Sequence, residues 1–138
     1  MSSRKVSWYH GTTSSHAARI FRNGFREEYT YFTLSTELAD VFAWEMGMET
    51  IETDFPNLTR ISIEMPYECQ QKLEIYTTLQ TVGADGKRPL DLGDGQEIIV
   101  NPIGIKLLNK LIRLGSVNIK RIMIHNPRKG INHGRKTE

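Results

Sequence analysis

The segment Leu58-Thr59-Arg60-Ile61-Ser62-Ile63-Glu64-Met65 alternates along its whole length. Successive side chains of an extended strand point to opposite faces. Leu58, Arg60, Ser62 and Glu64 therefore share one face, and Thr59, Ile61, Ile63 and Met65 the other. The pattern predicts a half-buried β-strand. On its N-terminal side, Val6–Gly11 and Tyr29–Leu34 are rich in β-branched and aromatic residues and predict two more strands. A helix follows each. Ser14 or Ser15 is expected to cap His16–Asn23, whose apolar face is Ala17, Ala18, Ile20 and Phe21, with Gly24 as the stop. Ser35 or Thr36 is expected to cap Glu37–Met46, with Leu38, Val41, Phe42 and Glu45 at helical spacing. On the C-terminal side, Glu74–Thr78 and Glu97–Val100 read as short strands. Asn101 caps a helix with Pro102 in its first turn and an inner stripe of Ile105, Leu108, Leu111 and Ile112. Gly115 ends it, and Val117–His125 returns as a strand. Met48–Asn57 reads as a polar loop, and Gly83–Gly95 as a mobile one because it holds four glycines, three aspartates and Pro89. The fold class is α+β.

A length of 138 residues supports one hydrophobic core and not two. A single domain is expected over residues 1–126, followed by a basic, flexible tail at 127–138. Hydrophobic residues make up 38% and charged residues 25%, the profile of a globular chain. No apolar run approaches the roughly 18 residues of a membrane span. No basic segment followed by an apolar one opens the chain, so a cytoplasmic protein is expected. Cys69 is the sole cysteine, and with four scattered histidines it suggests no metal site. The net charge of +2 hides a division. Residues 1–97 carry 9 Lys/Arg against 15 Asp/Glu, a net −6, whereas residues 98–138 carry 9 against 1, a net +8. Such asymmetry points to an anionic partner.

Three short segments carry chemistry. They are Trp8-Tyr9-His10-Gly11-Thr12, then Tyr31-Phe32-Thr33 followed by a helix containing Phe42, then Gln96-Glu97-Ile98-Ile99-Val100. A histidine, a tyrosine and a glutamate thus occur in that order on three different strands. This ordered set, spanning about residues 6–100, resembles the His–Tyr–Glu branch of the ADP-ribosyltransferase family, which includes diphtheria toxin and the poly(ADP-ribose) polymerases. The resemblance implies a split β-sheet core with short flanking helices, and NAD as co-substrate without a metal.

Cleavage of NAD at its N-glycosidic bond passes through an oxocarbenium-like transition state. A fixed carboxylate near the ribose stabilises the cation that develops there. Aromatic faces hold the nicotinamide flat, and a glycine backbone offers its carboxamide a donor and an acceptor at close range. The resemblance assigns these tasks. His10, Tyr31 and Glu97 are the catalytic set. His10 would bond a ribose hydroxyl of the adenosine half, and Glu97 would bond the nicotinamide ribose and stabilise the oxocarbenium ion. Gly11 would pair with the carboxamide, and Tyr31 and Phe42 would enclose the nicotinamide ring. Thr12, Phe32 and Ser35 complete the expected NAD-contacting residues. On this reading Gly11→Val abolishes NAD binding and leaves the fold intact.

Two positions depart from the family pattern. Ala39 stands where the polymerases place a serine against the carboxamide, so that bond must come from elsewhere, with Thr33 and Ser35 nearby. Gly95 stands two residues before Glu97, where arginine-modifying toxins place a Glu or Gln, which argues against an arginine acceptor. The expected activity is mono-ADP-ribosylation of a protein side chain, as in an effector of phage or bacterial origin acting on a host target. The alternatives are transfer to nucleic acid, drawing on the basic residues 98–138, and a relative that binds NAD or ADP-ribose without catalysis. The absence of an aromatic-interleaved basic patch favours protein over nucleic acid. No membrane partner is expected.

Overall fold

The computed structural model describes residues 4–49, 56–82 and 95–124. The elements are β1 (Lys5–Thr13), α1 (Ser14–Asn23), β2 (Thr30–Thr33), α2 (Thr36–Met48), β3 (Leu58–Pro66), α3 (Tyr67–Glu74), β4 (Thr77–Val82), β5 (Gly95–Val100), α4 (Pro102–Arg113) and β6 (Asn118–Ile124). The six strands form one sheet in the order β4-β5-β2-β1-β3-β6, with every neighbouring pair antiparallel. The architecture is α+β. Among the described residues, no helix is long and apolar enough to cross a membrane.

Strand register sorts the side chains onto two faces. Trp8 pairs with Ile63, His10 with Ile61 and Val6 with Met65. That face meets Phe32, Ile98 and Val100 from β2 and β5, Ala17 from α1, Cys69 and Leu73 from α3, and Ile105, Leu108 and Leu111 from α4, in one buried cluster. Removing apolar area from water is the main stabilising term here, and truncating an interior Ile or Leu to Ala typically costs about 2–5 kcal/mol.

The opposite face carries α2. Of the helically spaced Leu38, Val41, Phe42 and Glu45, only Leu38 is buried, and the other buried residues of this helix are Ala39, Ala43 and Gly47. The stripe Ala39-Ala43-Gly47 is small because α2 lies directly on β1 at Gly11. A Cβ at Gly11 would fall 1.7 Å from the Ala39 carbonyl oxygen and 2.8 Å from the Ala43 nitrogen. Gly11 is therefore required by packing, and Gly11→Val cannot leave the fold intact. Arg60 of β3, facing the same way, ties α2 to the sheet through Nη1, 3.1 and 3.0 Å from the two Asp40 oxygens.

Other boundaries also differ from the sequence reading. The cap of α1 is Thr13, whose hydroxyl accepts from the His16 backbone N–H, so the helix starts at Ser14. Ser35 caps α2, accepting from Leu38 N–H at 3.1 Å. α3 was not expected. It turns only Cys69 and Leu73 inward, too few positions to declare a period. It occupies the start of the strand expected at Glu74–Thr78, and β4 begins only at Thr77. Asn101 caps α4 by accepting from Gly104 N–H at 2.9 Å, with Pro102 in the first turn, as its residue types dictate. Residues 50–55 of the expected Met48–Asn57 loop, residues 83–94 of the Gly83–Gly95 loop, and the 127–138 tail lie outside the described residues.

Candidate functional site

The three segments singled out in the sequence meet where the pairing of β1 with β2 is shortest, at a single register position. β1 and β2 pair at Tyr9–Thr33. Continuing that register would set His10 beside Phe32 and Gly11 beside Tyr31, but the ladder stops there. β1 remains paired with β3 over its whole length, and β2 with β5 over Thr30–Thr33. The His10 side chain bridges the gap instead, with Nδ1 2.8 Å from the Tyr31 carbonyl oxygen. A carbonyl can only accept, so Nδ1 carries the proton, and in the neutral ring Nε2 is left as an acceptor. Burial lowers the His10 pKa below the ordinary imidazole value, the Tyr31 carbonyl opposes that shift and His16 adds to it. His10 is therefore neutral near pH 7.

Two clefts adjoin at this gap and share His10, Tyr31 and Met46. The first, of about 430 Å³, is lined by His10, Gly11, Tyr31, Phe42, Glu45, Met46, Glu49, Gln80 and Glu97. Five expected site residues from β1, β2, α2 and β5 thus converge on one cavity. Glu97, only 5% exposed, stands in register between Thr33 of β2 and Gln80 of β4. Tyr31 is 47% exposed and faces both cavities. The second cleft, of about 270 Å³, is lined by His10, Thr12, His16, Arg19, Ile20, Gly24, Phe25, Arg26, Glu28, Tyr29, Thr30, Tyr31 and Met46. His16 bonds the Thr13 hydroxyl through Nδ1 at 3.0 Å.

The clefts differ in charge. Among the described residues, the first is lined by three carboxylates, Glu45, Glu49 and Glu97, and by no lysine or arginine. Among the described residues, the second is lined by Arg19 and Arg26 with His16, against Glu28. A ligand that is cationic at one end and anionic further along fits this sequence of walls.

Not every expected contact residue lines a cleft. Thr12 lines the second. Phe32 is fully buried, packed on Trp8, His10 and Phe25, because it alternates with Tyr31 on a four-residue strand and so takes the core face. Ser35 is occupied as the α2 cap and donates to Glu37. Thr33 is buried with its hydroxyl accepting from Ser35 N–H at 3.2 Å.

Sequence reasoning missed Glu45, Met46, Glu49 and Gln80 in the first cleft, and His16, Arg19, Arg26, Glu28 and Tyr29 among others in the second. A signal existed for the α2 residues. Phe42, Glu45, Met46 and Glu49 follow at i, i+3, i+4 and i+7, one face of a helix, and two acids alternating with two large apolar residues mark it as a cleft wall. The basic wall had no such signal, since it is assembled from separate segments. The chain matches no protein-family model, no curated protein and no solved structure.

Proposed function

We propose that the protein is a mono-ADP-ribosyltransferase that cleaves NAD and passes ADP-ribose to a protein side chain. The observation that carries this reading is the charge order of the adjoining clefts around a shared His10 and Tyr31. NAD has a cationic pyridinium at one end and an anionic diphosphate beyond the first ribose. The carboxylate-lined cleft with Phe42 and Tyr31 suits the nicotinamide riboside, and the cleft with Arg19, Arg26 and His16 suits the diphosphate and adenosine.

In the proposed reaction the bond between the ribose C1′ and the pyridinium nitrogen breaks, its electron pair leaves with nicotinamide, and C1′ becomes oxocarbenium-like. Glu97, held on a strand paired on both sides and lining the first cleft, is the residue we assign to that charge, since a preorganised carboxylate stabilises such a transition state more than the ground state. A nucleophilic acceptor side chain then bonds to C1′ and releases its proton. Neutral His10 presents Nε2 as an acceptor for a ribose hydroxyl. The resemblance of the ordered motifs to the His–Tyr–Glu transferases, and the short pairing of β1 with β2 at those motifs, support the same reading.

The test is to incubate the protein with NAD labelled in its diphosphate and a cell lysate, and to treat the product with protease or nuclease. Label that protease releases and nuclease spares is the expected result. Label released only by nuclease would make nucleic acid the acceptor, and NAD binding without nicotinamide release would make the protein a non-catalytic binder.

A further inference from the structure

The buried side chain of Asn109 stands out on α4. Its buried neighbours along the helix, Ile105, Leu108 and Leu111, are aliphatic, and an amide in such a place is costly unless its polar atoms are satisfied. Both are satisfied by a single residue 84 positions earlier. The Phe25 backbone N–H donates to Oδ1 at 2.9 Å, and Nδ2 donates to the Phe25 carbonyl at 2.7 Å. The pair imitates a strand bridge and fixes the amide's orientation, since a flipped amide would set donor against donor. The preceding Gly24 has φ +85°, and a Cβ there would lie 3.0 Å from Asn109 Oδ1, so the chain approaches the amide this closely only as glycine.

The clamped segment brings Gly24, Phe25 and Arg26 to the lining of the second cleft, and of these the Phe25 ring packs on His10. It meets His10 edge-on, with ring centres 5.6 Å apart at 84°, and Phe32 at 5.5 Å and 68°. Phe32 in turn lies 5.5 Å from His10. The imidazole is thus held by the Tyr31 carbonyl at Nδ1, the edge of Phe25 and the ring of Phe32. Only Phe25 among these is carried on irregular backbone, and Asn109 is what fixes that backbone to a helix. Asn109 itself lines neither cleft.

We propose that Asn109 is a positioning residue for His10: by clamping Phe25 it holds the imidazole at the junction of the clefts with its proton on Nδ1 and Nε2 free to accept. The functional consequence rests on the reading of the clefts as an NAD site, whereas the spectroscopic one does not.

The test records the ring nitrogen resonances of His10 in the full chain, for the wild type, Asn109→Ala and Asn109→Asp, together with NAD affinity in each and in the same changes combined with His10→Ala. Asn109→Asp keeps an acceptor for the Phe25 N–H but loses the donor, so it remains informative if Asn109→Ala does not fold. The expected result is loss of the pure Nδ1–H form in the variants and NAD binding about two- to tenfold weaker, the range of one hydrogen bond. In the His10→Ala background the same changes should weaken binding no further, because residues acting through one another are not additive. Unchanged His10 resonances in a folded variant would overturn the proposal, as would an equal loss of affinity with and without His10. If the wild type binds no NAD, the reading of the clefts fails, and the resonances alone decide the role of Asn109.

Discussion

At the scale of single residues, His10 has two consequences. Its ring is neutral in the folded state because burial outweighs the Tyr31 carbonyl. Above the ordinary imidazole value both folded and unfolded chains carry a neutral ring, and its contribution to stability is complete. As pH falls below about 6.5 the unfolded chain takes up a proton that the folded one resists, and stability is lost down to the lowered folded value. A melting series from about pH 7 to pH 5 should therefore show a smaller loss for His10→Gln than for the wild type; equal losses would mean that the ring is not held neutral. That His10, Gly11, Tyr31, Phe42 and Glu97 would line one cleft was legible because each stands on or beside a predicted element in a recognisable order. Arg19 and Arg26 were not, since α1 reads as a plain amphipathic helix and Arg26 as a loop residue.

Among the elements, α2 is where sequence and structure diverge most. Helical spacing picks out its large residues, but the constraint is the approach of two backbones at Gly11, which selects Ala39, Ala43 and Gly47 for the buried side and leaves Phe42 to line the cleft. Any side chain at position 11 must therefore displace α2. Gly11→Val should lower stability by about 1–3 kcal/mol or more in urea unfolding, and Ala39→Gly should not restore it, because the colliding atoms are backbone. A Gly11→Val protein with the wild-type midpoint would contradict this packing. β3 was legible for the opposite reason. Its alternation answers to two different environments, the buried cluster beneath and the Arg60–Asp40 tie above. α3, with only Cys69 and Leu73 to bury, answers to too little of the core to leave a pattern.

Across the whole molecule, charge is divided by element. α2 holds Glu37, Asp40 and Glu45 and no basic residue, whereas α1, α4 and β6 hold Arg19, Arg22, Lys106, Lys110, Arg113, Lys120 and Arg121 and no acid. The sequence's basic C-terminal region is thus extended by α1, which also supplies Arg19 to the second cleft. On α4, Lys106, Lys110 and Arg113 follow at i, i+4 and i+7, all exposed, away from both clefts. Replacing the three with Gln should slow transfer to a macromolecular acceptor, more at low salt than at high, and leave hydrolysis of NAD by water unchanged. Transfer insensitive to the change at every salt concentration would remove this surface from acceptor binding. All of this depends on the chemistry assigned to Glu97, and the most direct measurement is the rate of nicotinamide release from NAD by the purified wild type and by Glu97→Gln, with both confirmed as folded by circular dichroism. The wild type should release nicotinamide with saturation in NAD, and Glu97→Gln should lower kcat on the order of 10²-fold with a much smaller change in KM; equal rates from the two proteins, or no release from the wild type either in water or with lysate acceptors, would contradict it.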